Sequence, residues 1–291
     1  MKYPLCIVSY KRGHDKRQAR TIQFCIEAKQ QAYIFIYEKD YDNYKDLEQY
    51  NFLKFIIIPE KEIPIIEKSI AKKRHYMIDY MSKIVSWIWV IDDDYIRFTS
   101  YKFDNVIKKK ILTITELFET AEQYIDLQRD TYCKIPPAGS FQTANAKSGI
   151  EYTITKKSTT GVAGCYGLNL NIMKKYKINF NTACPGGLGE DTELMCQFIK
   201  YGLNGITCKT LEAQFNDKDS IVWNTDRNEQ FKKVYRFLYD LYPELIDWNP
   251  DYPKNTEGSA IINKSKESKS PPNWYIQEGH TKQFTFGGTH V

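Results

Sequence analysis

Short apolar runs divide the first hundred residues. PLCIVS (4–9), AYIFIY (32–37), LKFIII (53–58) and WIWVI (87–91) are five or six residues long and show no strict polar alternation. Runs of that kind predict strands buried on both faces. The segments between them carry a different period. Ala19, Ile22, Cys25, Ile26 and Ala28 recur at helical spacing. In SIAKKRHYMIDYMSKIV, the residues Ile70, Met77, Ile78 and Met81 share one helix face. Residues 43–50 also read as a helix. Strand alternating with helix predicts an α/β fold with a mostly parallel sheet, in which ligands bind outside the carboxyl ends of the strands.

The second half is less periodic. Residues 113–126 read as a helix and 133–150, rich in Pro, Gly, Ser and Asn, as a loop. The segment GVAGCYGLNLNIM (161–173) mixes glycine with apolar residues. CPGGLGED (184–191) predicts a tight glycine loop entering the helix TELMCQFIKYG, which Gly202 stops. A further helix is expected at 228–240. The Lys/Ser/Asn/Pro composition of 253–272 marks a mobile stretch. The expected division is a catalytic domain over 1–245 and a C-terminal extension over 246–291.

Composition narrows the class only slightly. The 291 residues are 42% hydrophobic and 26% charged, enough for a sizeable core. A net charge of +5 permits a phosphate-bearing partner without demanding one. The seven cysteines include no Cys-x-x-Cys pair and predict buried free thiols in a reducing compartment. No secretory leader pattern is present, and no apolar stretch approaches the ~20 residues that span a bilayer. A cytoplasmic protein, without membrane attachment or evident obligate protein partner, is expected.

The chemistry gathers where WIWVI ends. Asp92, Asp93 and Asp94 follow directly, and on an extended backbone Asp92 and Asp94 face one side. Two carboxylates ~5 Å apart repel by roughly 3 kcal/mol at an effective dielectric near 20. A hard divalent cation, Mg²⁺ or Mn²⁺, relieves that repulsion and can hold a diphosphate. A second acidic pair, Glu190-Asp191, follows the glycine loop. Either residue can serve as a general base, or both can complement the helix dipole. Gly187 would let an acceptor approach the backbone. Ser9, Tyr10 and Arg12 close the first strand, where loops meet nucleotides. Arg74 stands in the cluster Lys72-Lys73-Arg74-His75, ordinarily a solvated face, from which it can reach a phosphate or ribose. His280 is a candidate metal ligand should the C-terminal segment fold back over the ion. Tyr166 and Trp223 are aromatic candidates for contact with an acceptor base.

In their order along the chain, PLCIVSYKR, the acidic Glu38 after the second strand, the helix carrying Arg74, WIWVIDDDYIRF and GGLGEDTEL resemble the GT-A glycosyltransferases. The helix KKRHYMI before WIWVIDDDYIRF is most similar to phage-type TET-associated glycosyltransferases, implicated in decorating hydroxymethylated pyrimidines in DNA. The resemblance covers about residues 4–100 and 160–205. It implies a GT-A-like, Rossmann-type sheet and transfer of a sugar from a nucleotide-sugar, UDP-glucose or a UDP-pentose such as arabinose. Asp94 would be the principal metal ligand, Asp92 would contact ribose or metal, and Asp93 the sugar or nucleotide. Ser9, Tyr10 and Glu38 would surround the nucleotide base, Arg74 would hold the diphosphate or ribose, and Glu190 or Asp191 would be the base. DNA would be the acceptor and the host cytoplasm the location. The alternatives are a glycan, lipid or protein acceptor, a nucleotidyltransferase, and a non-catalytic nucleotide- or DNA-binding module.

Overall fold

The apolar runs are strands, buried on both faces over 5–8, 32–37 and 87–92, while the edge strand over 53–58 is only partly buried, with Lys54 and Ile57 exposed. The computed structural model describes residues 1–9, 12, 19–59, 70–138, 141–155, 164–215, 233–234, 236–243 and 245. An eight-stranded sheet is built from β1 (Leu5–Val8), β2 (Ala32–Tyr37), β3 (Leu53–Ile58), β4 (Trp87–Asp92), β7 (Asp130–Lys134), β8 (Tyr152–Thr155), β9 (Cys165–Asn169) and β10 (Asn204–Cys208). Their order across the sheet is β3-β2-β1-β4-β9-β7-β10-β8. Six of these run in one direction. β9 lies antiparallel between β4 and β7, and β8 closes the far edge antiparallel to β10. The expected α/β architecture, a mostly parallel sheet flanked by helices, is therefore present.

Alternate residues feed two cores. Leu5 and Ile7 of β1 and Trp87, Trp89 and Ile91 of β4 face the first. There they pack against α1 (Arg20–Glu27) and α3 (Ile114–Glu122). Cys6, Val8, Ile88 and Val90 face the second, with Met77, Ile78 and Met81 of α2 (Ile70–Met81) and Leu194, Met195 and Phe198 of α6 (Glu190–Lys200). Both faces are dry, so the strands need no polar positions. The α3 helix opens with a reciprocal capping box between Thr113 and Glu116. All seven cysteines are buried free thiols, none of them in a disulfide.

The structure differs from the sequence reading at several elements. Residues 38–49 form a 3₁₀ segment rather than the helix expected at 43–50. Within 133–150, read as a loop, lie the end of β7 and α4 (Phe141–Lys147). Between 161 and 173 lie β9 and the start of α5 (Leu170–Tyr176). A second, antiparallel sheet of β11 (Leu211–Phe215), β5 (Tyr95–Asp104) and β6 (Val106–Leu112) has no counterpart in that reading. Much of its hairpin is solvated, and the surface run Lys108-Lys109-Lys110 breaks the apolar pattern that marks a strand. Residues 233–234 and 236–241 are helical, overlapping the helix expected at 228–240, and Val234, Leu238, Tyr242 and Leu245 pack on Cys196 and Ile199 of α6. The C-terminal extension lies outside the described residues. Among the described residues no helix is long and apolar enough to cross a membrane.

Candidate functional site

The strand order reverses direction at β1: β2 and β3 lie to one side, β4 to the other. In a parallel sheet that switch point opens a crevice at the carboxyl ends of the central strands. Ser9 follows β1 there, and Asp92 ends β4 in register with Val8. The turn through Asp93 and Asp94 then enters β5. It is pinned to α1 by Thr21, whose hydroxyl donates to the Asp92 carbonyl (2.7 Å) and accepts from the Tyr95 amide (3.1 Å). The Thr21 amide also donates to the Asp93 carbonyl (3.2 Å).

The three aspartates have separate surroundings. Asp93 is buried. It accepts from the Ser9 hydroxyl (2.5 Å) and from Arg12 Nη1 (2.7 Å). Burial raises its pKa to about 6, although Arg12 and Ser9 pull the other way. Asp92 and Asp94 are 29% and 22% exposed and border the crevice. Burial raises the pKa of Asp94, and the neighbouring charge of Asp92 adds to the rise. Arg12 Nη1 lies 3.4 Å from Asp94 Oδ2.

On the β2 side, the Ser9 hydroxyl shares a hydrogen bond with Tyr44 (2.7 Å), whose oxygen also accepts from the Arg12 amide (3.2 Å). Lys73 donates to the Ser9 carbonyl and lies 4.3 Å from the Tyr37 ring. Burial lowers its pKa to about 8, opposed by the nearby Asp40 and Asp93. Asp40 is buried and its Oδ2 has no hydrogen-bond partner, whereas Glu38, the acid expected to meet the nucleotide, is exposed. Sequence reasoning missed Asp40, Tyr44, Lys73 and Thr21. The polar stretch EKDYDNYKD offers no periodicity that separates its inward acid from its outward ones.

On the β9 side stands Arg74. It is 4% exposed, donating from Nη2 to Asp92 Oδ1 and from Nη1 to Glu190 Oε1, both at 2.7 Å. The basic cluster 72–75 is thus no solvated face, since Lys73 and Arg74 both turn inward. Burial raises the pKa of Glu190 to about 7 against the opposing pull of Arg74. Asp191, one residue on, is half-buried and accepts from the Thr192 amide (2.8 Å). Lys134, at the end of β7, is buried with its pKa lowered to about 8 by desolvation, an effect the Asp191 charge opposes.

The other expected residues are placed less favourably. Tyr166 is fully buried in β9, its ring centroid 5.8 Å from the Arg74 guanidinium, so no acceptor base can stack on it there. Gly187 ends a short 3₁₀ turn with φ 68°. Tyr10, Trp223 and His280 lie outside the described residues.

Among the described residues no three His, Cys, Asp or Glu side chains form a ready metal cage. The donor set nonetheless fits a hard cation. Mg²⁺-type sites commonly use one or two carboxylates and complete their shell with substrate phosphates and water. Asp92 and Asp94 are two such partly exposed carboxylates, close enough for one charge to raise the other's pKa.

No protein-family profile and no curated protein sequence matches the chain. Solved structures give distant similarities. Glucosyl-3-phosphoglycerate synthase from Mycobacterium tuberculosis, in complex with Mg²⁺ and UDP, aligns at 8% identity over 82% of this chain and 78% of that one, with a TM-score of 0.48. GalNAc-T7 with UDP, GalNAc and Mn²⁺ aligns at 9% identity over 91% and 54%, with a TM-score of 0.42. Mannose-1-phosphate geranyltransferase from Thermus thermophilus aligns at 8% identity over 79% of each chain, with a TM-score of 0.38. At such distances an activity does not transfer.

Proposed function

We propose that the chain is a metal-dependent glycosyltransferase that moves a sugar from a nucleotide-sugar to an acceptor hydroxyl. The observation that carries this reading is one continuous polar cluster at the carboxyl ends of the strands. It runs from Asp40 and Ser9, past the aspartates, to the first turn of α6. Such a cluster provides a nucleotide end, a diphosphate middle and an acceptor end in the order a transfer needs.

In this reading the nucleotide lies against the ends of β1 and β2, near Ser9, Asp40 and Tyr44. Asp94 and Asp92 would hold Mg²⁺ or Mn²⁺, which would supply charge neutralisation to the departing diphosphate. Asp191 takes the proton as the acceptor oxygen bonds the anomeric carbon and the bond from that carbon to the diphosphate breaks. Glu190 is unsuited to that role, because it is buried and its Oε1 is committed to Arg74. Its function is to hold the arginine.

For the acceptor, the resemblance of the KKRHYMI helix and WIWVIDDDYIRF to the phage-type group supports a hydroxymethylated pyrimidine in DNA. The lysines of β6 add little to that reading. Lys108, Lys109 and Lys110 face Asp104, Glu212 and Glu116 at 2.5, 3.9 and 2.8 Å, so much of their charge is answered locally.

The test is a titration with UDP-sugars with and without Mn²⁺, followed by release of free UDP using hydroxymethylcytosine-containing DNA as acceptor. Metal-dependent release that disappears in Asp94→Ala is expected. Asp191→Asn should lose about 10³-fold or more in kcat and Glu190→Gln about 10–100-fold, as expected for a base and a support. Pyrophosphate release would instead indicate nucleotidyl transfer. Absence of metal-dependent nucleotide binding would sink the reading.

A further inference from the structure

We propose that Arg74 is a positioning residue that couples the two ends of the site. It ties Asp92, where donor and metal are held, to Glu190, which opens the helix carrying Asp191. Occupation of the aspartates thereby sets the base helix in place for the acceptor. The inference rests on the glycosyltransferase reading above.

The geometry is specific to arginine. One planar guanidinium places Nη1 on Glu190 and Nη2 on Asp92, each at 2.7 Å. A lysine ammonium is a point charge and cannot reproduce that fork. The connection is long-range, because Arg74 lies on α2, 18 residues before Asp92 and 116 before Glu190. The same helix reaches towards α6 by a second route. His75 Nδ1 hydrogen-bonds the Phe180 carbonyl (2.7 Å), and Gln197 of α6 donates to the Asn179 carbonyl (2.8 Å).

The cluster is also a poor way to stabilise a fold. Arg74 Nε and the Tyr166 hydroxyl are buried beside it with no hydrogen-bond partner. A buried, incompletely satisfied ion pair such as Arg74–Glu190 is commonly no better for stability than apolar residues of similar volume. Its place at the junction of the donor and base elements points to positioning of the base.

The experiment follows amide hydrogen exchange across residues 190–200 in the full chain, with and without UDP and Mn²⁺. In the wild type, UDP with Mn²⁺ should slow exchange in α6 about tenfold, within the usual range of coupling between sites. Glu190→Gln should still bind UDP with Mn²⁺ within about fivefold of wild type, while the slowing in α6 falls below about twofold in it and in Arg74→Lys. Because a single variant can strand a buried charge, Arg74→Met/Glu190→Met supplies the control. It should melt at or above the wild-type temperature yet show no coupling. Undiminished slowing in Arg74→Lys would overturn the proposal. Loss of UDP and Mn²⁺ binding in a folded Arg74→Lys would also overturn it, by assigning Arg74 to the donor itself. If the wild type bound no UDP with Mn²⁺, the glycosyltransferase reading would fall before any variant was compared.

Discussion

Asp93 sits between two crevice-facing carboxylates, yet its own side chain turns inward to Ser9 and Arg12. Alternation along an extended chain, the reading DDD invites, is not what separates the three. Asp93 and Asp94 lie in the turn after β4, and that turn, pinned by Thr21, sends the middle side chain inward. The sequence also withholds the partner of each. Arg74 and Glu190 meet across 116 positions, and no local pattern announces such a pair. The burial of Glu190 has a measurable consequence. Its pKa rises from 4.5 to about 7, so the folded protein holds a proton that the unfolded chain releases. The stability gained from that proton is full below about pH 4.5 and is lost as pH rises through about 7, by on the order of 1–3 kcal/mol. Urea midpoints for the wild type minus Glu190→Gln should therefore fall across that window. A difference that rises with pH would mean that the ion pair with Arg74 outweighs desolvation.

At the scale of elements, the first four parallel strands are readable from their apolar runs and α2 from its helical spacing, whereas β7 (DTYCK) and β10 (NGITC), also parallel, carry polar residues and glycine that hide them. The β5–β6 hairpin is not readable either, because solvation of its outer part removes the pattern. The glycine loop before α6 shows how an element fixes chemistry. Gly189 precedes the helix at φ 71°, and a Cβ built there would lie 2.4 Å from Val234 Cγ1. An alanine needs a left-handed backbone, at about 1–2 kcal/mol, and must also displace the Val234 side chain. Gly189→Ala should destabilise the protein by about 2–4 kcal/mol and move the first turn of α6, which carries Glu190 and Asp191. A chemical-denaturation midpoint within error of wild type would show that the 234–245 segment yields freely and does not brace α6.

At the scale of the whole molecule, the strand order 3-2-1-4 puts the ends of β1 and β4 side by side, and with them Ser9 and the aspartates. The alternation of strand and helix implies that crevice, whereas the antiparallel insertion of β9 between β4 and β7 has no signature in composition. A ligand in the crevice bridges elements from both cores, so binding should be felt globally. At 100 times its dissociation constant a ligand adds about 2.7 kcal/mol of stability. For a chain of this length that corresponds to a rise in melting temperature of roughly 5 °C. UDP with Mn²⁺ should produce such a rise, UDP with chelator little of it, and Asp94→Ala none. An equal rise without metal would place the nucleotide in the crevice but remove the aspartates from its binding. The site would then be a nucleotide pocket bounded by an acidic turn rather than a centre for metal-assisted transfer.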